Sequence, residues 1–479
     1  MPFARKSLLL LTLCCLALLG FSKAHAGPLK AGAATSNITP ELGGGIIGGF
    51  LPIPSKHVHD ELHARCLVFD DGTTQVAIVV CDLLGLHRGV SDEARKLIAE
   101  RLGIPRDNVM ISGTHTHSAI SALGSNRFQH EQPLDDYQQF VARRIADGVQ
   151  RARNNLQPAE IAFGTVGISE HVFNRRWYMK TGTIPPNPFG GTDIVKMNPP
   201  GGSPNLIEPA GPTDPSVSFV AVREPNGRPL SVFAAYSLHY VGDVGPGHIS
   251  ADYFAVFCKE LARALEPVPQ DPPFVALLAN GTSGDINNIN FREPRPRTPP
   301  YTRINAVGQD VAAKVAAAMT GLTWKGDVTL GARYREPEIG MRRPTEAELA
   351  AAKKLIAEDK STPGKANLPV IYAERTLKMA ENPATSPIPI QILKLGDVCV
   401  GSMPCEIFCE IGLEFKDRCP IKPAFMISLN HGYYGYLPPP RQHKLGGYET
   451  WMGTNRLEVT ASEKLLDQLV EMAAELKQP

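Results

Sequence analysis

The stretch that decides the fold is residues 76–117, VAIVVCDLLGLHRGVSDEARKLIAERLGIPRDNVMISGTHTH. Short apolar runs open and close it, at residues 76–81 and 109–111, and each run gives way at once to polar residues. Between them, residues 91–103 have the pattern of a helix, with acidic residues in the first turn and a glycine at the end. A strand, a helix and a second strand in this order predict a parallel crossover connection.

The rest of the chain repeats this pattern. Four more apolar runs of the same form lie at residues 231–240, 274–285, 398–406 and 424–436. Their length and continuous hydrophobicity are typical of strands buried on both faces. Residues 218–236 predict a hairpin that turns at Asn226-Gly227, so the sheet includes antiparallel pairs. We therefore predict an α/β fold with a mixed, largely buried β-sheet flanked by helices. The Pro- and Gly-rich residues 180–215 predict a long loop.

Length and composition limit the class of protein. The chain has 479 residues, 43% of them hydrophobic and 20% charged, which allows a sizeable core. The net charge of +1 gives no reason to expect a nucleic-acid partner. Arg5, Lys6, an apolar run and an A-x-A site predict a signal peptide over residues 1–26, cleaved after Ala26. Residues 27–479 are then a single secreted or periplasmic domain, and no other run is long enough to predict a transmembrane segment.

Polar residues collect where the six apolar runs end. Ligands of open α/β sheets bind beyond the carboxyl ends of the strands. The residues at or just past these ends are Asp82, His115, His117, His239, Asp285, Glu406 and Tyr436. A chance scatter of polar residues would not favour one end of every run, so the sequence predicts a single polar site at this edge.

The two histidines of the opening stretch are the first candidates in that site. In extended backbone, His115 and His117 would point to the same side, so both could face a pocket, or one could bind a metal beside the other. Taken alone, His239 fits a core histidine better than a metal ligand, and Glu406 fits an ordinary helix start. Two histidines and a carboxylate are nevertheless a common zinc set in hydrolytic sites. Zinc lowers the pKa of water and polarises a carbonyl group.

Six short motifs point to a known family. They are CDLLGL, GTHTHSA, FNRR, LH followed by ISAD, ANGTSGD and MPCEIF. In this order they resemble the N-terminal catalytic domain of the neutral (alkaline, non-lysosomal) ceramidases. In that family two histidines, a glutamate and a tyrosine hold one zinc ion. The resemblance implies a single Zn²⁺ in this chain, bound by His115, His239, Glu406 and Tyr436, with Tyr433 and Tyr434 as alternatives to Tyr436.

The resemblance also implies roles for neighbouring residues. It suggests hydrolysis of an amide bond in a small-molecule or lipid substrate by zinc-activated water. His117 and Asn287 would then help to hold the oxyanion. Asp82 and Asp285 would orient the metal ligands. Arg175 would bind a polar part of the substrate, or would instead form a structural ion pair.

Two departures from the family pattern bear on the substrate. The ceramidase motif G-D-V-S-P-N carries a serine linked to amide cleavage, and Asn287 stands at that position here. An amide side chain cannot be a nucleophile, although it can donate a hydrogen bond to an oxyanion. The C-terminal immunoglobulin-like domain of the family has no counterpart after Tyr436. Two alternatives therefore stay open, a zinc hydrolase acting on another bond (ester, lactone or carbohydrate-linked) and a non-catalytic metal-binding homologue.

Overall fold

The computed structural model describes residues 27–124, 126–129, 132–266, 268–361 and 364–477. The signal peptide predicted over residues 1–26 lies outside these ranges and stays a prediction. Within the described ranges, no helix is long and apolar enough to cross a membrane.

The longer strands form three separate mixed sheets. In spatial order, the first sheet contains Val109–Gly113, Gln75–Cys81, His63–Asp70, Lys30–Asn37 and Gln157–Pro158. The second sheet contains Glu160–Gly167, Ser216–Arg223, Pro229–Tyr236 and Val275–Asn280. The third sheet contains Leu330–Arg335, Ile390–Leu395, Val398–Ser402 and Ala424–Ile427.

Short strands and helices complete the described structure. The short strands are Gly45–Ile47, Ile53–Pro54, His57–Val58, Ala119–Ile120, Phe173–Asn174, Arg176–Met179, Val195–Met197, Leu206–Pro209, His248–Ile249, Ile286–Asn287, Glu338–Gly340, Thr385–Pro387, Glu406–Ile407 and Tyr436–Leu437. The α-helices are α1 (Arg88–Leu102), α2 (Asp136–Asn154), α3 (Asp252–Leu265), α4 (Thr302–Ala318), α5 (Glu346–Ala357), α6 (Leu368–Ala380), α7 (Cys409–Arg418), α8 (Pro440–His443) and α9 (Ala461–Lys477). Two 3₁₀ turns are Arg106–Asn108 and Tyr448–Thr450.

Each large sheet contains one parallel strand pair, and a helix lies between the two strands in the chain. Gln75–Cys81 pairs with Val109–Gly113 across α1. Pro229–Tyr236 pairs with Val275–Asn280 across α3. The third pair, Val398–Ser402 with Ala424–Ile427, is joined across α7. The six apolar runs of the sequence are therefore three parallel crossover units.

The three sheets share one buried core, which brings the ends of these units together. Met110 of the first sheet, Phe233 and Leu277 of the second, and Val400 and Phe425 of the third belong to the same apolar cluster. The outer face of the first sheet packs on α1 and α2, and that of the second on α3 and α4. Helices α7 and α9 pack against the third sheet. Burial of both sheet faces explains why the runs are continuously apolar.

The predicted fold class is confirmed, with two differences in detail. The mixed sheet is divided into three, and in each sheet the parallel pair lies at one edge with antiparallel strands on its other side. The hairpin at Asn226-Gly227 forms as predicted, with Gly227 at a positive φ of 95°. Residues 180–215 are not only loop, since Val195–Met197 and Leu206–Pro209 pair with the strand Arg176–Met179. That pairing depends on distant chain segments, which local composition does not reveal.

Candidate metal centre

His115 is fixed just past the end of the first crossover unit. Its backbone N–H donates to the Leu83 carbonyl at 2.9 Å, and its φ of 70° turns the chain sharply. Its ring Nδ1 donates to the Leu84 carbonyl at 2.7 Å. With Nδ1 turned to this carbonyl, Nε2 is the ring nitrogen that faces the centre and can bind a metal ion.

His239 lies just past the first strand of the second crossover unit, and its ring lies next to that of His115. Its ring Nδ1 lies 3.0 Å from the Ser283 carbonyl oxygen, to which it donates. The ring centroids of His115 and His239 are 4.5 Å apart, and both residues are buried. The His239 Nε2 is thus also a lone-pair donor, held by a backbone carbonyl from the loop that follows strand Val275–Asn280.

Glu406 and Tyr436 come from the third unit and are paired with each other. They occupy opposite positions in the parallel ladder of Glu406–Ile407 with Tyr436–Leu437. The hydroxyl of Tyr433 donates to Glu406 Oε1 at 2.8 Å. Tyr436 also donates a hydrogen bond to this carboxyl group. Tyr434 is turned away, since its side chain hydrogen-bonds to Arg88.

The three units bring potential metal-ligating atoms close together. Glu406 Oε2 lies 3.2 Å from the Nε2 of His115 and 3.7 Å from the Nε2 of His239. Among the described residues, neither His239 Nε2 nor Glu406 Oε2 has a hydrogen-bond partner, although both atoms are buried. Buried polar atoms without a partner are costly. A divalent cation satisfies this donor set, so these residues fit the metal that the sequence predicts.

The protonation states suit a metal site. Burial, together with the neighbouring His115, lowers the pKa of both His117 and His239 well below the usual value. Burial alone would raise the pKa of Glu406, but His115, His239 and the Tyr436 hydroxyl hold it well below its usual range. Neutral imidazoles beside an ionised carboxylate are the forms that bind metal ions.

His117 lies beside these groups and closer to solvent. Its Nε2 is 3.1 Å from the Nε2 of His115, and its ring stacks on Tyr240 with centroids 3.6 Å apart. A hydrogen bond links it to the backbone of Gly48. The ligating nitrogens of His115, His117 and His239 lie within 4.8 Å of one another, so the three histidines could also hold a metal ion.

A cleft of about 450 Å³ gives access to the centre. It is lined by His115, His117, Glu406, Tyr433 and Tyr436 at its base. Apolar side chains on the walls are Ile47, Phe50, Leu51, Leu84, Leu123, Phe128 and Ile371. A substrate with an apolar part therefore has room beside the polar centre.

Asp82 and Asp285 do not orient the histidines directly, in contrast to the prediction. Asp82 accepts hydrogen bonds from the His63 backbone N–H and the Arg65 guanidinium. Asp285 accepts from the Cys409 backbone N–H at 2.8 Å and from the Asn174 amide at 2.7 Å. Burial raises the pKa of Asp285 to about 6, while the Cys409 N–H acts to lower it. Backbone carbonyls take the orienting role because the loops after the strands fold over the imidazole rings.

Arg175 and Asn287 also lie outside the predicted contacts. Arg175 donates to Glu449 Oε1 at 2.8 Å, and its guanidinium lies 5.3 Å from the centroid of the Tyr436 ring. This is the structural ion pair that the sequence left open. The Asn287 amide donates to Asn198 Oδ1 at 3.0 Å in a neighbouring cleft. Neither residue lines the cleft above the histidines, so a role for Asn287 at an oxyanion stays a prediction.

Sequence reasoning missed several residues that shape the centre. The Ser283 and Leu84 carbonyls hold the imidazoles, and no side-chain pattern marks a carbonyl. Gly48 packs against His117, where a Cβ would come within 2.6 Å of the His117 Cβ. Tyr240 directly follows His239 and stacks on His117, which an aromatic residue next to a site histidine could have suggested.

The fold and the centre together define an α/β protein with a buried histidine and carboxylate site of the kind that binds a divalent metal ion. Residues 30–185 match the family described as neutral/alkaline non-lysosomal ceramidase, N-terminal. The resemblance to the neutral ceramidases is thereby confirmed over residues 30–185.

Individual relatives give the extent of the similarity. Neutral ceramidase A from Dictyostelium discoideum is 22% identical over 277 residues, which cover 56% of this chain. The chain matches only 35% of the length of that relative. The crystal structure of neutral ceramidase from Pseudomonas aeruginosa aligns with a TM-score of 0.66 and 17% identity, covering 94% of this chain and 74% of that one. A ceramidase complexed with C2 aligns with a TM-score of 0.68, 16% identity and coverages of 94% and 75%.

Proposed function

We propose that the protein is a zinc-dependent hydrolase that cleaves an amide bond in an N-acyl lipid such as ceramide, or in a related amide. The observation that carries the proposal is the buried pair of His239 Nε2 and Glu406 Oε2, which lie 3.7 Å apart and have no hydrogen-bond partner among the described residues. His115, His239, Glu406 and Tyr436 would hold the ion. Bound zinc supplies Lewis acidity and lowers the pKa of water. The signal-peptide pattern of residues 1–26 supports export to the periplasm or the medium.

The other residues of the centre then act on the substrate and on the ligands. His117 lines the cleft and is neutral, so it can exchange a proton or a hydrogen bond with the reacting carbonyl group. Tyr433 fixes the carboxylate of Glu406 through its hydroxyl. The Leu84 and Ser283 carbonyls hold the two imidazoles in one tautomer. The apolar wall residues Phe50 and Leu51 suit an acyl chain.

The test is turnover by pure protein on a panel of N-acyl amides, ceramide included. We expect hydrolysis that a chelator abolishes and added zinc restores. Hydrolysis that survives complete metal removal would contradict the proposal. Full zinc occupancy without turnover of any amide or ester would favour the non-catalytic homologue.

A second candidate is hydrolysis of another bond, such as an ester or a lactone. Asn287 stands where the resemblance implies a serine, and its amide is hydrogen-bonded to Asn198 in another cleft. Esters and lactones are intrinsically easier to cleave than amides, so they need less from an additional side chain. Ester turnover without amide turnover, at equal zinc occupancy, would select this candidate.

A further inference from the structure

The cleft above the centre contains a cluster of positive charges that hydrolysis of a neutral amide does not require. Four cationic side chains line it, those of Arg127, Arg375, Lys378 and Arg456. In the part of the chain that the structure describes, no carboxylate forms an ion pair with any of them. Among the described residues, the acidic side chains in the lining are Glu406, which belongs to the metal centre, and the exposed Glu374.

Arg456 is the most deeply buried member of this cluster. It is 1% exposed, and its Nη1 donates to the Arg127 and Tyr433 carbonyls. Its Nε has no hydrogen-bond partner among the described residues. Burial, with Arg127 and Arg375 nearby, lowers the pKa of Arg456 to about 9. A buried guanidinium whose charge is opposed by like charges is costly unless an anion joins it.

The remaining cations are arranged on aromatic rings around the same space. The Arg375 guanidinium lies 5.6 Å from the Phe50 ring centroid, and the Lys378 ammonium lies 6.0 Å from that of Phe128. Cation–π contacts orient these groups but leave their charge without a counterion. Guanidinium groups present paired N–H donors that match the oxygens of carboxylates and phosphates.

Tyr433 connects this cluster to the proposed catalytic centre. Its hydroxyl donates to Glu406 Oε1, while its ring centroid lies 5.2 Å from the Arg456 guanidinium and 6.0 Å from that of Arg127. An anion held by the arginines therefore lies about one tyrosine side chain away from the metal ligands.

We infer that the cleft selects substrates in which the scissile amide or ester lies close to an oxyanion group, a carboxylate or a phosphate, bound by Arg127, Arg375, Lys378 and Arg456. This inference rests on the proposed function and specifies its substrate class as anionic acyl compounds. Neutral ceramide would then be a poor substrate compared with an acyl compound that carries a charge next to the amide.

Two matched substrate pairs test the inference and separate the two anion sources. The carboxylate pair is an N-dodecanoyl amino acid and its uncharged carboxamide. The phosphate pair is ceramide 1-phosphate and ceramide. For at least one pair we expect kcat/KM to be about tenfold or more higher for the charged member, mainly through KM, and to fall with added salt. The pair with the larger ratio identifies the anion.

A double variant tests whether the arginines cause the preference. In Arg127→Gln/Arg375→Gln, the ratio of kcat/KM between charged and neutral members should fall to near one. The matched control is Arg263→Gln, an exposed arginine on α3 that pairs with Glu260 outside the cleft, and it should keep the wild-type ratio. Equal turnover of both members by the wild type, or a preference that survives in the double variant, would overturn the inference.

Calorimetry on metal-free protein separates this inference from the proposed function. The N-dodecanoyl amino acid should bind at least several-fold more tightly than its carboxamide, and the double variant should remove the difference. If the metal-free protein binds the charged compound selectively but the zinc-loaded protein turns over neither compound, the anion subsite is supported and the hydrolase proposal is overturned. Absence of charge-selective binding for both anions would overturn the anion subsite.

Discussion

His239 Nε2 and Glu406 Oε2 lie 3.7 Å apart in a buried centre, and neither atom has a hydrogen-bond partner within the described ranges. Two lone-pair donors in this position repel each other unless a cation lies between them. His115 brings a third donor, its Nε2, to within 3.2 Å of the same carboxylate oxygen. This arrangement destabilises the folded protein when no metal is bound, and metal binding would remove that destabilisation. The stability of the protein with and without metal therefore tests the centre.

Zinc content is the first prediction. Purified protein should contain about one zinc per chain, and His115→Ala/His239→Ala should contain almost none by elemental analysis, because two ligands are gone. Zinc should also raise the unfolding midpoint of the wild type, since a ligand that binds only the folded state stabilises it. His171→Ala is the matched control, because His171 pairs with Asp310 away from the cleft. Stoichiometric zinc in the double variant would refute the ligand assignment.

His117 distinguishes two possible ligand sets. We expect His117→Ala to keep its zinc and to lose activity by about 10²- to 10⁴-fold, as for removal of a proton-transfer group. Its proximity to Tyr240 and the cleft, rather than to Glu406, motivates this expectation. Loss of zinc from His117→Ala would instead favour a metal site made of the three histidines, which their spacing also permits.

Gly48 and Gly43 provide a matched pair for testing the position of His117. Both have positive φ, 144° and 103°, so alanine strains the backbone at either site. A Cβ at Gly48 would lie 2.6 Å from the His117 Cβ, whereas a Cβ at Gly43 meets nothing within 4 Å. Gly48→Ala should therefore lower kcat well beyond any loss in Gly43→Ala, with both variants retaining zinc. Equal activity of the two variants would show that His117 does not need this contact.

The sequence predicted which residues come together at the site better than it predicted the hydrogen bonds that these residues form. Strand ends are marked locally, by apolar runs that stop at Asp82, His115, His239 and Glu406, and parallel crossovers place such ends at one edge. The division into three sheets was not predictable, because it depends on which strands pair across the common core. Motif resemblance then supplied the grouping of His115, His239, Glu406 and Tyr436, which spacing alone left open.

The roles of charged residues near the site were harder to predict, for a physical reason. A carboxylate or guanidinium has several possible partners, and the choice depends on tertiary geometry. Asp285 accepts a hydrogen bond from the backbone N–H of Cys409 rather than from a histidine, and Arg175 donates to Glu449. The cluster of cationic residues in the cleft could not be predicted from the sequence either. Arg127, Arg375 and Arg456 are far apart in the chain and come together only when it folds.

Asp252 predicts how stability depends on pH. Burial raises its pKa to about 6, although N–H groups of Tyr253, Gly242 and Val241 act to lower it. A folded-state pKa above the unfolded value means that protonation favours folding, so this contribution is fully present below about pH 4 and is lost as the pH rises through 6. As the pH falls from 7 to 4, wild type should gain up to about 3 kcal/mol relative to Asp252→Asn. Urea unfolding of both proteins at pH 7, 5 and 4 measures this, and a constant difference would contradict it.

Glu449 is a buried counterion whose removal should destabilise the protein strongly. Its carboxylate is completely buried and accepts hydrogen bonds from Arg175 Nε at 2.8 Å and from Arg176 Nη1 at 2.6 Å. Glu449→Gln would leave two buried guanidinium groups without their shared counterion, so unfolding free energy should fall by about 3–5 kcal/mol. Tyr436, which lies under the Arg175 guanidinium, would lose its support, and zinc affinity should fall with it.

The matched control for Glu449 is Glu475→Gln. Glu475 pairs with Arg335 near the surface, where solvent screens both charges. Such pairs contribute at most about 1 kcal/mol, so the midpoint of urea unfolding should hardly move. Equal, small losses in the two variants would mean that Arg175 and Arg176 find other partners once the carboxylate is gone. A large loss in Glu449→Gln alone, with weaker zinc binding, would establish that the shared carboxylate supports both the fold and the Tyr436 side of the metal centre.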